Sequence, residues 1–139
     1  MVGKLKRSDL ILPDLSYKIV GILFDVFNSL GYGYKEIYYQ RAIVESFRGV
    51  GISFKEQITV PLIFKGKKIG DHRFDFLVED KIILEIKRGD YFSRSDINQL
   101  HGYLLSSGLK LGLLAYFSSK GLKFKRIVNI KKLRSTNDY

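Results

Sequence analysis

The chain of 139 residues has the size of one domain, and with 45% hydrophobic residues, ten Phe and nine Tyr it can bury a core without staples. Without cysteine and with only two histidines, His72 and His101, it excludes disulfides and thiolate metal sites and argues against a multi-histidine zinc site, leaving oxygen ligands for any metal. A formal net charge of +10, from 24 Lys and Arg against 14 Asp and Glu, favours a polyanionic partner, with nucleic acid the commonest; surface solubility is the plainer alternative.

Residues Met1 to Asp14 lack an apolar run long enough for a signal peptide or membrane span, so a soluble, cytoplasmic protein with no membrane partner is expected. Leu12-Pro13-Asp14 signals a helix start, with Asp14 or Ser16 available as the cap. Leu15, Ile19, Ile22, Leu23, Val26 and Leu30 then recur at helical spacing until Gly31-Tyr32-Gly33. A second helix is expected from about Tyr34 to Arg48, stopped by Gly49 and Gly51. Ile58, Val60, Leu62 and Phe64 alternate as in a strand, and Lys65-Gly66-Lys67 reads as its turn. Two more strands are expected over Ile69 to Val78 and Lys81 to Lys87, around a turn at Glu79-Asp80.

Ser93 with Asp96 three residues on forms a capping-box-like start for a third helix, whose apolar face is Ile97, Leu100, Leu104 and Leu105. Leu109 to Phe117 is short and apolar enough for a buried strand, and Leu122 to Ile130 alternates like an edge strand. The order helix, helix, three strands, helix, strand, strand predicts an α/β fold, a mixed sheet flanked by helices, in a single domain over 1–139 with tails at 1–12 and 131–139.

Charge is unevenly distributed along this order. Seven Lys or Arg and no acid lie between Lys120 and Arg134, including Lys120, Lys123, Lys125, Arg126, Lys131 and Lys132, whereas acids cluster around Asp71 to Asp90. A basic rim around an acidic centre suits an enzyme that holds metal and phosphate together, and these six residues, with Lys4, Lys6 and Arg7, are the candidate phosphate contacts.

Within the acidic centre, Asp75 stands between Phe74 and Phe76, and Glu85 between Leu84 and Ile86. Charges inside such apolar strands are costly unless paired, hydrogen-bonded or metal-bound. Glu85 and Lys87 share a face because side chains alternate along a strand. A hairpin centred on Asp80 sets Asp75 and Glu85 directly opposite, with Cβ atoms roughly 4.5–5.5 Å apart. Two like charges so placed repel, and a divalent cation removes the objection. Such a cation between them could bind the scissile phosphate and lower the pKa of a water, with Lys87 beside it to offset developing charge. The alternative is an ordinary ion pair of Asp75 with Arg73 or Lys87.

Asp75, then Glu85-Ile86-Lys87, then Gln99 and Tyr103 resembles the D…E-x-K…Q-x-x-x-Y pattern of RecB-like PD-(D/E)XK nucleases. More closely, Gly33-Tyr34-Lys35-Glu36 with Tyr39 and Ala42, the turn Lys65 to Gly70, Asp75-Phe76-Leu77-Val78 and Gly108 to Leu114 resemble the GxxExxxR branch of that superfamily, from about Leu15 to Asn129. There are departures. Gln40 stands where the branch name puts arginine, Arg41 comes one residue late, and Phe74 replaces the proline before Asp75.

The resemblance implies a restriction-endonuclease-like αβββαβ core and phosphodiester hydrolysis dependent on Mg²⁺ or Mn²⁺. It implies Asp75 and Glu85 as metal ligands with the Ile86 carbonyl as a third, Lys87 as the catalytic lysine, and Glu36 as the acid added by the helix. It also implies that Gln99 and Tyr103, four apart on one helical face, look towards the site. The plainer readings are a charge–dipole position for Glu36 and a polar surface stripe for Gln99 and Tyr103; His101 is off that face. The expected function is a nuclease acting on DNA rather than RNA in repair, recombination or defence, with a homodimer favoured if it cuts duplex. Two alternatives are a non-catalytic nucleic-acid-binding domain that keeps the fold and a protein-interaction module with a basic surface.

Overall fold

The computed structural model describes residues 11–129. In chain order the elements are α1 (Pro13–Leu30), α2 (Glu36–Val50), β1 (Phe54–Phe64), β2 (Lys67–Val78), β3 (Ile82–Arg88), α3 (Arg94–Ser107), β4 (Leu111–Ser118) and β5 (Gly121–Val128). The expected helix and strand order is present, including αβββαβ from α2 to β4. The five strands form one sheet in the order β1-β2-β3-β4-β5. Only β3 and β4 run parallel; the other neighbours are antiparallel. That parallel pair requires a crossover, which α3 supplies. No helix among the described residues is long and apolar enough to cross a membrane.

Local chemistry adjusts several expected ends. Pro13 sets the start of α1, with Leu12 at the cap, so neither Asp14 nor Ser16 caps it: both lie inside the first turn, and the Ser16 hydroxyl donates to the Pro13 carbonyl (3.2 Å). Helix α2 begins at Glu36 rather than Tyr34 because the Tyr34 N–H donates to the Tyr39 hydroxyl, which itself donates to the Gly31 carbonyl (2.6 Å). The Ser93 cap of α3 forms as expected, its Oγ accepting the Asp96 N–H at 3.3 Å. Glu79 and Asp80 both take positive φ (53° and 55°), and the Lys81 N–H donates to the Val78 carbonyl, which closes the predicted β2–β3 turn.

The helices cover both faces of the sheet. On one face, Ile19, Leu23, Ile43 and Phe47 from α1 and α2 pack with Phe76, Leu84, Ile86, Leu113 and Phe117. On the other, Leu100 and Leu104 of α3 pack with Ile83, Leu114 and Ile127. All of β4 is buried, as its continuous apolar run predicts, and β5 is an edge. Gly112 allows the closest approach of α3 to β4: a Cβ there would come within 2.9 Å of the Leu100 side chain.

The β1–β2 hairpin changes faces along its length. Phe54, Phe76 and Val78 belong to the α1–α2 side, whereas Ile58, Val60 and Phe74 belong to the α3 side. The switch falls where Gln57 takes φ 53° and the pairing passes from Glu56↔Phe76 to Ile58↔Phe74, leaving Gln57 and Asp75 out of the ladder. Asp75 therefore sits at a roll in the sheet.

Candidate active site

The β2–β3 ladder runs through Val78↔Ile82, Leu77↔Ile83 and Phe76↔Leu84 and then stops. Continued by one step it would put Asp75 opposite Glu85, the register expected from the turn. Side chains take over there instead. The Asp75 N–H donates to Glu85 Oε1 (3.1 Å), and the Ile86 N–H donates to Asp75 Oδ2 (2.7 Å). From α2, Gln40 Nε2 donates to Asp75 Oδ1 at 3.0 Å. Two carboxylates thus occupy an opening between strands and satisfy backbone groups that the ladder leaves behind.

Burial pushes the Glu85 carboxyl up to about 8, helped by the Asp75 charge and a hydrogen bond with Asp75, and opposed by Lys87. Burial also raises Asp75, against the Ile86 N–H, the Glu85 hydrogen bond and Lys87. Near neutral pH the pair therefore retains a proton, on Glu85, as close acid pairs do. An all-oxygen donor set with an excess of negative charge fits a hard divalent cation, which would replace that proton. Among the described residues, no three His, Cys, Asp or Glu already form a metal-holding group, so a cation here would draw further oxygens from backbone, water or substrate.

Lys87 Nζ lies 3.7 Å from Glu85 Oε2 and 3.9 Å from Asp96 Oδ1. Asp96 is in turn fixed: the Tyr116 hydroxyl donates to its Oδ2, and the Ser93 N–H donates to the Tyr116 hydroxyl (3.1 Å). Burial, then Asp96, pushes the Tyr116 hydroxyl up to about 12, so it remains a donor. His72 Nε2 is also 3.7 Å from Glu85 Oε2. Burial, then Lys87, lowers His72, which disfavours a charged imidazole beside Glu85.

Glu36 is in the first turn of α2. Burial raises its carboxyl, Lys87 opposes this, and the Asp75 and Asp96 charges add to it, so Glu36 shares the site's field. Gln99 and Tyr103 line a cleft of about 390 Å³ between α3 and the β1–β2 hairpin, with His72 and Phe74 also in its wall. Tyr103 packs on Phe74 with ring centroids 5.0 Å apart. The helical face expected to look towards the site thus opens beside it, reaching Glu85 through His72.

The basic candidates differ from one another. Lys120 and Lys125 are exposed, whereas Lys123 Nζ donates to the Asp90 carbonyl at 2.9 Å. Arg126 is half-buried and donates to Ser16 Oγ and the Ile11 carbonyl, both at 2.6 Å, which ties β5 to the start of α1. Lys131, Lys132, Lys4, Lys6 and Arg7 lie outside the described residues. Sequence reasoning missed Gln40, His72, Asp96 and Tyr116 as site neighbours. Tyr116 carried a signal, a lone hydroxyl in an apolar strand that must find a buried partner. Asp96 reads from the sequence only as a partner of the Ser93 cap.

A family model described as the PD-(D/E)XK nuclease superfamily matches residues 13–127. No curated protein matches the sequence. Solved structures of similar shape include SSO0001, with TM-score 0.41 and 16% identity over 86% of this chain and 72% of that one. Another is an alkaline exonuclease (LHK-Exo) from Laribacter hongkongensis, with TM-score 0.49 and 12% identity over 87% and 72%.

Proposed function

Because this chain belongs to the PD-(D/E)XK nuclease superfamily, we propose that it is a divalent-metal-dependent phosphodiesterase acting on DNA in the cytoplasm, in repair, recombination or defence. The supporting observation is the Asp75–Glu85 carboxyl pair at the open end of the β2–β3 ladder, each accepting the other strand's backbone N–H, with Lys87 beside it. In this reading Asp75, Glu85 and the Ile86 carbonyl hold Mg²⁺ or Mn²⁺, with Glu36 available from α2. When bound, the cation supplies Lewis acidity to a phosphate and acidifies a water.

The chain's own residues do the rest. Gln40 and the Ile86 N–H orient the two oxygens of Asp75. Asp96, itself held by Tyr116, keeps the Lys87 ammonium next to Glu85, where it can offset charge developing on the phosphate. Gln99 and Tyr103 line the cleft through which a strand would approach. Lys120, Lys123 and Lys125 supply phosphate contacts, joined in this reading by Lys131 and Lys132, which lie outside the described residues. Our reading also keeps the chain in the GxxExxxR branch: Gln40, at that branch's arginine position, holds Asp75.

The test is cleavage of labelled single-stranded, duplex and branched DNA with Mg²⁺ or Mn²⁺. At least one substrate should be cut and EDTA should stop it. If none is cut with either metal, the non-catalytic nucleic-acid binder replaces the nuclease.

A further inference from the structure

We propose that Tyr91 and Tyr32, which flank the end of β3 on opposite faces of the sheet, are stacking platforms for unpaired bases, so that the substrate is a single-stranded nucleic acid. This inference rests on the nuclease reading for what happens to the strand, and on separate residues for how the strand is held.

Tyr91 is 85% exposed, the highest value among the exposed large hydrophobic and aromatic residues described. Its loop is nonetheless pinned at several points. The Gly89 N–H donates to the Phe117 carbonyl, the Asp90 carboxylate accepts from the Ser119 N–H (2.8 Å) and hydroxyl, and Lys123 Nζ donates to the Asp90 carbonyl. The backbone that carries this ring into solvent is thus fixed on both its Gly89 and Asp90 sides.

Lys123 also lies over that ring, 5.9 Å from its centroid. On the other face, Tyr32 is 46% exposed with the Arg88 guanidinium 5.5 Å from its ring centroid. Each platform therefore pairs an aromatic face with a cation, the combination that receives a base and its phosphate together.

The placement relative to the acid pair is direct. Lys87, Tyr116 and Lys123 are in one row across β3, β4 and β5. Strand spacing puts Lys123 roughly 10 Å from Lys87, on the face that also carries Glu85. Arg88, which lies over Tyr32, follows Lys87 at the end of β3, so the Tyr32 side is joined to the site as well. A duplex keeps its base faces stacked internally and would meet the cations alone. Exposed ring faces at both sides thus favour an unpaired strand.

The test measures binding by fluorescence anisotropy in EDTA, using labelled oligo(dT), an abasic strand of equal length and a blunt duplex. The chain has nine Tyr and no Trp, so quenching of tyrosine emission reports stacking directly. Wild type should bind oligo(dT) at least tenfold more tightly than the abasic strand or the duplex. Tyr32→Ala with Tyr91→Ala should reduce oligo(dT) affinity to the abasic level and remove most of the quenching. Phe at both positions should restore affinity, whereas Tyr17→Ala, at an exposed position on α1, should change nothing. Equal wild-type affinity for oligo(dT) and the abasic strand, preference for duplex, or full affinity in the double alanine variant would each overturn the proposal. Hydrolysis of bis(p-nitrophenyl) phosphate by wild type with Mn²⁺ tests the nuclease reading separately: no turnover alongside intact oligo(dT) preference sinks that reading and leaves the platforms standing.

Discussion

The two ends of the β2–β3 pairing are built on opposite terms. At the turn end, Phe76, Leu77 and Val78 pair in a regular ladder with Leu84, Ile83 and Ile82, and the side chains enter two apolar cores. A few residues on, the ladder opens and two carboxylates occupy the gap, each holding the other strand's backbone N–H. The first end stabilises the fold. The second accepts two desolvated carboxyl groups side by side and gains from it a site that a cation can complete. Stability and chemistry are thus separated within one hairpin.

The largest effect should come from the apolar end. Phe76→Ala empties a fully buried position between Phe47 and Phe54 and should cost about 3–5 kcal/mol of stability by denaturant unfolding. A loss near zero would mean that this end is not what anchors the hairpin. At the open end the expectation reverses, with chemistry lost and stability little changed. Lys87→Ala should leave metal and DNA binding in place while lowering turnover by two or more orders of magnitude, roughly 3–4 kcal/mol of barrier. Turnover equal to wild type would place the chemistry elsewhere.

A smaller effect separates the ends by pH. Glu85 sits at about 8 in the fold against an ordinary 4.5, so the native chain retains a proton that the unfolded chain has released between those values. Its contribution therefore lowers stability as pH rises through that window. Glu85→Gln should flatten this fall and raise the melting temperature near pH 8. An identical pH profile in the variant would mean that Glu85 is not the group holding the proton.

Much of this was legible in the sequence. Hydrophobic period, glycines and turn residues predicted the element order, and the Glu79-Asp80 turn predicted the register that brings Asp75 to Glu85. The roll at Gln57 and Asp75 was not legible, because strict alternation assigns Phe74 and Phe76 to one face whereas the twisted hairpin divides them between two cores. Nor was the support around Lys87: Asp96 and Tyr116 come from α3 and β4, and only the crossover brings them to β3. Charge alone groups Arg126 with the phosphate contacts, whereas its bonds to Ser16 and Ile11, distant in the chain, are not readable from the sequence.

The chemistry of the site turns on the acid pair holding a proton that a cation displaces. Calorimetric titration with Mn²⁺ at pH 7, repeated in buffers of different ionisation enthalpy, counts the protons released on binding. The pair predicts release of about one proton per ion, an affinity that increases with pH up to about 8, and loss of both in Glu85→Gln. Binding without proton release, or with equal affinity in Glu85→Gln and Asp75→Asn, would contradict it.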